Sequence, residues 1–279
     1  MKYDLSGQWE IMLPDGRVKK DGFLPSSLDE NKVGDPDRVA KAWHPDIEDR
    51  SGEDTEFSDI DSRITTRLTR NYTYEGPAEF SRVFNGEVRA DKRYHLHIER
   101  TRAASAFADG QKAPCIAYGL STPTVFDLTG LLHKGSVIKL VTDNTYPGMP
   151  YRDITFSSAA TDETQTNWNG AIGEIFLEET NAVRITEARI LPSAKGTDTV
   201  DIAVGVETAK ADKRTVTMSS SANIRIDGNC LVAPQERNIT LTPGDSNEVC
   251  FGNIKLTGEC ANARWDEYEG NLHELEVSL

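Results

Sequence analysis

The stretch "TQTNWNGAIGEIFLE" sets Gln165, Asn167, Trp168 and Asn169 directly ahead of a glycine-spaced apolar run. Side-chain amides donate and accept hydrogen bonds, and an indole face packs well on C–H-rich rings. Together they suit a neutral sugar, whose hydroxyls want paired donors and acceptors and whose axial C–H faces lie flat on aromatic planes. Gly170 and Gly173 let the backbone bend tightly before a strand that starts near Glu174. A structural reading stands beside the chemical one. In it Trp168 plugs the end of a sandwich while the amides bond loop carbonyls and hold a chain crossing in place.

Other residues invite a similar choice. In "RYHLHIERT", His95 and His97 share one face, a spacing that presents two imidazoles to a metal. No third ligand is evident in the sequence, so both read as polar histidines on a sheet surface, and no metal or cofactor is expected. Trp43 and His44 sit in a long charged segment. Trp43 is either a stacking platform brought over a sugar site or an exposed loop residue. Asp143 and Asn144 close the strand "SVIKLVTDN", as turn residues first and ligand-facing residues second. Arg70, Tyr72 and Tyr74 alternate; as a strand they share a face opposite Arg67, lining a cleft or forming a solvated edge. The chain has no GxSxG elbow, P-loop, HExxH or dinucleotide GxGxxG.

Composition narrows the partners. In 279 residues, 31 basic side chains stand against 45 acidic ones, a formal net charge of -14. Such a field repels phosphate backbones and anionic headgroups, which argues against nucleic acid and membrane surfaces. The start "MKYDLSGQWE" lacks the basic-then-apolar pattern of a secretion signal, so a cytoplasmic location is expected. Cys115, Cys230, Cys250 and Cys260 show no CxxC spacing. They read as free buried thiols, with a Cys230–Cys250 or Cys250–Cys260 bridge as the alternative.

The elements that must position these side chains are strands. Short segments alternate apolar and polar residues and end at Gly, Pro, Asn or Asp, as in "EFSRVF", "TVFDLTG", "VRITEARIL", "TVDIAVGVET", "RTVTMSS", "ANIRID", "RNITLT", "EVCFGNIKLT" and "HELEVSL". No sustained helical period occurs, and Asp37 to Arg63 reads as a charged surface insertion. The pattern predicts an all-β chain of two sandwiches, 1–181 and 182–279, the second close to the roughly 100 residues of an immunoglobulin-like domain.

The ordered series "LSGQWEI", "LPSSLDENKVG", "TTRLTRNYTYEGPAEFSRVF", "HLHIERTRAASAFADG", "LSTPTVFDLTGLLHKG", "LVTDN" and "TQTNWNGAIGEIFLE" resembles glycoside hydrolase family 2. The resemblance is to the N-terminal, galactose-binding-like jelly roll of its β-galactosidases and β-glucuronidases. The second segment, ending "RWDEYEGNLHELEVSL", is similar to that family's immunoglobulin-like domain, with Gly270 and His273 replacing the usual Pro and Tyr. The resemblance implies a carbohydrate ligand of the β-galactoside or β-glucuronide class. It also implies a catalytic (β/α)8 barrel following Leu279, a unit of about 250 residues that carries the acid/base and nucleophilic glutamates.

Site residues follow from the same resemblance. A sugar-contacting asparagine of an "NxTYP" stretch falls on Asn71 of "NYTYE", with Glu75 replacing the proline. A substrate- and sodium-contacting aspartate of an "EDQDxW" pattern falls on Thr166 of "ETQTNW", so no metal role carries over. The candidate sugar-binding set is Asn71, Asp143, Asn144, Thr166, Asn167, Trp168 and Asn169.

No catalytic residue is expected within the chain. Retaining cleavage needs two carboxyl groups about 5 to 5.5 Å apart. Asp29–Glu30, Glu53–Asp54 and Asp266–Glu267 read instead as turn or surface residues. The expected role is to shape the sugar cleft of a parent β-glycosidase; the alternatives are a free-standing carbohydrate-binding module and a structural pair that assembles a homo-oligomer.

Overall fold

The computed structural model describes residues 1–36, 71–150, 154, 167–192, 199–208, 216–226, 229–230, 235–241, 244, 246–255, 265–270 and 275–278. Every secondary-structure element named below is a β-strand, in keeping with the alternating sequence pattern. Backbone contacts divide the chain into Met1–Glu179 and Thr180–Leu279. Among the described residues no helix is long and apolar enough to cross a membrane.

The first unit holds β1 (Lys2–Asp4), β2 (Gly7–Met12), β3 (Val18–Leu24), β4 (Ser26–Ser27), β5 (Asp35–Pro36), β6 (Tyr72–Thr73) and β7 (Pro77–Val83). It continues with β8 (Lys92–Thr101), β9 (Ala103–Ala108), β10 (Gln111–Lys112), β11 (Cys115–Ala117), β12 (Thr124–Asp127), β13 (Val137–Asp143) and β14 (Gly170–Asn181), which belongs to the first unit up to Glu179. One sheet runs β1-β14-β8-β12-β11 with β4 on β14, and the other runs β10-β9-β13-β7-β2-β3.

A single core joins the two sheets. Tyr94, Leu96 and Ile98 of β8 and Ile175 and Leu177 of β14 pack with Trp9, Ile11, Phe80, Ile138 and Leu140 of the facing sheet. The period-2 pattern of each strand sends these residues inward, and burying each large apolar side chain contributes about 1.5–3 kcal/mol. Trp9 Nε1 donates to Leu5 O at 2.9 Å, so its one polar atom is satisfied inside the core.

The second unit holds β15 (Val183–Pro192), β16 (Thr199–Thr208), β17 (Val216–Ile226), β18 (Asn229–Cys230), β19 (Gln235–Leu241), β20 (Ser246–Lys255) and β21 (Leu275–Ser278). β15-β16-β20 form one sheet, and β17 pairs with β18, β19 and β21 in the other. Ile202, Val204, Val206, Phe251 and Ile254 from the first sheet meet Ile239 and Leu241 from the second.

Several sequence expectations need correction. The described parts of "RTVTMSS" and "ANIRID", Val216–Ile226, form one strand, because Ser219, Ser220 and Ser221 pair with β19 and do not turn the chain. Among the described residues of the Arg70–Tyr74 segment only Tyr72–Thr73 are strand, paired with Asp35 and Pro36; Arg67 and Arg70 lie outside the described residues. Cys115 and Cys250 are free thiols as expected but are exposed, not buried. Trp43, His44, Gln165, Thr166, the Asp37 to Arg63 insertion and Cys260 lie outside the described residues, as does the Cys230 side chain.

Candidate functional site

Asp143, Asn144, Asn167, Trp168 and Asn169 lie where β13 ends and β14 begins. Asn144, one residue past β13, is fully buried. Its Nδ2 donates to Tyr74 O at 2.9 Å and to Asn167 O at 2.8 Å. Its Oδ1 accepts the Gly76 N–H at 3.0 Å. Asn167 returns a bond from Nδ2 to Asn144 O at 3.1 Å and accepts the Tyr146 hydroxyl at 3.2 Å. Asn169 donates to Gly76 O at 2.7 Å and accepts the Thr142 hydroxyl at 2.6 Å.

This is a buried amide knot tying three chain segments together: 74–76, 142–146 and 167–169. Loop backbone inside a protein must find hydrogen-bond partners, and here the asparagines supply them. Of the two readings open in the sequence, the amides do the structural job. Asn144, Asn167 and Asn169 engage their amides with the protein itself, which leaves little for a sugar to meet there.

The outward-facing candidates rest on this knot. Asp143 is half-buried, and its Oδ1 accepts from Thr145 N at 2.8 Å and Thr145 Oγ1 at 2.6 Å, the turn role foreseen for it. Trp168 is half-buried between two buried asparagines. The Arg102 guanidinium lies 4.1 Å from the Trp168 ring centroid, and its Nε donates to Trp168 O at 3.2 Å. Stacking holds the indole face on the guanidinium, while the hydrogen bond ties down the Trp168 backbone. Asn71 is exposed at the start of the segment leading into the knot. Asp29 Oδ1 holds it there, accepting from the backbone N–H groups of Asn71 at 3.0 Å and Tyr72 at 2.8 Å.

The strand begins earlier than the glycine spacing suggested, at Gly170 and not near Glu174, so both glycines lie inside β14 and neither bends the chain ahead of it. Gly170 has φ +129°, and a Cβ there would fall 2.5 Å from Ser26 O, the strand that β14 pairs with at this point. Gly173 has φ +77°, and its neighbour's N–H, from Glu174, reaches Glu99 Oε2 at 2.7 Å.

Sequence reasoning missed several contributors. Arg102 is 1% exposed, and nothing in "RTRAAS" separates it from Arg100 as the cation under the indole. Tyr146 and Thr142 enter the knot from a strand end read only for its "TDN". Of the acidic pairs, Glu53–Asp54 lies outside the described residues, whereas Glu30 and Asp266 serve turns. Glu30 Oε2 accepts Ser27 N at 2.7 Å, and Asp266 Oδ1 accepts Tyr268 N at 2.8 Å and Glu269 N at 2.7 Å.

A buried carboxylate lies elsewhere in the first unit. Glu179 accepts the hydroxyls of Tyr94 at 3.0 Å and Tyr3 at 3.2 Å and pairs with Arg89. Burial pushes its carboxyl up, but the bonds from Arg89, Tyr94 and Tyr3 and the Arg89 charge outweigh this and hold it below the usual range. Burial, with Glu179 beside them, raises both tyrosines. A carboxylate so held is a fixed anion for packing.

The two sandwiches in tandem define the class of fold: that of part of the glycoside hydrolase family 2 enzymes. A calcium-binding mutant of β-glucuronidase 2 from Bacteroides uniformis superposes with a TM-score of 0.64 at 11% identity, over 99% of this chain and 30% of that one. A glycosyl hydrolase family 2 member from Bacteroides cellulosilyticus gives 0.55 at 15% identity, over 92% and 32%. A β-galacturonidase of the family from Eisenbergiella tayi, bound to galacturonate, gives 0.53 at 14% identity, over 91% and 36%. At these identities the shared property is the fold, and the chain spans about a third of the length of those enzymes. No protein-family model and no curated protein matches the sequence.

Proposed function

We propose that this chain is the non-catalytic N-terminal portion of a family 2 glycoside hydrolase. In this reading the first unit is a sugar-binding jelly roll and the second an immunoglobulin-like sandwich. Together they shape one wall of the pocket in which the parent enzyme hydrolyses terminal β-glycosidic bonds with retention. The observation that carries this is the pairing of near-complete coverage of this chain with about a third of each enzyme's length.

The amide knot supports the same reading. It gives a rigid base to Trp168 and Asp143, the partly exposed aromatic and carboxylate that would face a sugar, and Asn71 would join them from the adjoining segment. Rigid support for a ligand-facing side chain lowers the entropy lost on binding. In the second unit, Trp265 at 67% exposure and Tyr268 at 88% offer apolar surface on which a following barrel would pack. A cytoplasmic location belongs to the same proposal, supported by the exposed free thiols of Cys115 and Cys250.

Two assays on the purified chain test it. Nitrophenyl β-galactoside and β-glucuronide should not be hydrolysed, and titration with simple sugars should leave tryptophan fluorescence almost unchanged. Saturable quenching lost in Trp168→Phe would favour a self-sufficient carbohydrate-binding module. Hydrolysis abolished by a carboxylate substitution within the chain would overturn the non-catalytic role.

A further inference from the structure

β8 carries two imidazoles on the face opposite the core, since Tyr94, Leu96 and Ile98 point inward. The sequence offered them no third ligand. The fold supplies one from β14, the neighbouring strand in the sheet. Glu178 Oε2 lies 3.3 Å from His97 Nε2, and one ligand atom each from His95, His97 and Glu178 falls within 4.8 Å of the others. On the other flank, Asp127 of β12 is the register partner of His95 and brings Oδ1 to 3.8 Å from His95 Nε2. The His97 ring stacks on Phe176, with centroids 4.7 Å apart and planes 5° from parallel. His95 is 2% exposed, whereas His97 and Glu178 are partly exposed and leave a way in from solvent.

We infer that His95, His97 and Glu178 form a binding site for a divalent transition-metal ion of the zinc class. Two imidazoles and one carboxylate are a donor set that zinc takes readily, whereas calcium and magnesium prefer oxygen alone. Ligand atoms about 2.0–2.2 Å from one tetrahedral ion stand roughly 3.3 Å from each other, so His97 and Glu178 already have ligand spacing. Rotation of the partly exposed Glu178 side chain closes the remaining gap to His95. All three ligands project from adjacent strands of one sheet, so little backbone order has to be gained on binding. Water or Asp127 takes the fourth position. The ion fastens β8 to β14, a structural clip distinct from the amide knot.

The test titrates the tag-free, chelator-treated chain with zinc by calorimetry. One ion per chain is expected. Glu178→Gln and His97→Gln should each weaken binding by more than the roughly 10- to 100-fold that loss of an outer partner costs. His133→Gln, which removes an exposed histidine beside Asp109, should leave zinc affinity unchanged. Glu178 lies at the sheet surface, so Glu178→Gln should keep the circular dichroism of the parent and carries the test if His97→Gln misfolds. The absence of saturable one-to-one binding, or full affinity in the well-folded Glu178→Gln chain, would overturn the site.

Discussion

Replacing Asn144 by alanine removes the centre of the amide knot. Three backbone groups lose their partners: the buried Asn167 carbonyl at 2.8 Å and Gly76 N–H at 3.0 Å, and the part-buried Tyr74 carbonyl at 2.9 Å. Each buried polar group left unpaired costs about 1–3 kcal/mol, and water entering the vacated space recovers part of that. The expected loss is about 3–5 kcal/mol, a large share of the roughly 5–15 kcal/mol that stabilises a domain. Asn144→Asp separates bonding from volume: it keeps the side-chain size but turns an acceptor toward two carbonyls, and should cost at least as much at neutral pH. Urea unfolding should be followed by fluorescence in a Trp265→Phe background, because the remaining tryptophans, Trp9, Trp43 and Trp168, all lie within the first unit. A loss below about 1 kcal/mol for Asn144→Ala, within the net worth of one ordinary hydrogen bond, would refute the knot as an anchor.

Further outcomes follow from the same geometry. Glu179 titrates below its unfolded value, so its contribution to stability is present above about pH 4.3 and is lost as the pH falls through the folded value. The urea midpoints of the parent and Glu179→Gln should therefore differ most near neutral pH and converge in acid; an equal gap at pH 7 and pH 3 would contradict this. Gly170→Ala should destabilise by about 1–3 kcal/mol from backbone strain, with the clash on Ser26 O added, whereas Gly130→Ala, at φ +76° with open space around it, should cost less. Thermal melts of the two variants make that comparison directly.

Much of the fold is legible because strand alternation is a local signal. The inward row Tyr94, Leu96, Ile98 can be read from "RYHLHIERT" alone. β9, "AASAFA", escapes notice because alanine marks neither face strongly, and the serine run in β17 imitates a turn until its pairing with β19 is seen. The site is less legible, since amides beside an indole suit either a sugar or a loop crossing. Only the carbonyls of Tyr74, Gly76 and Asn144, brought in from distant segments, decide how they are used. Glu178 could not be joined to His97 from sequence for the same reason: the pairing of β14 with β8 is a fact of topology.

The proposed role in a glycosidase requires a catalytic barrel after these sandwiches. Sequencing the gene beyond the Leu279 codon tests it most directly. The reading frame should continue for about 250 residues of alternating strand and helix, the size of a (β/α)8 barrel, with a glutamate pair for acid/base and nucleophile. A stop codon directly after Leu279, together with tight saccharide binding by the chain alone, would contradict it.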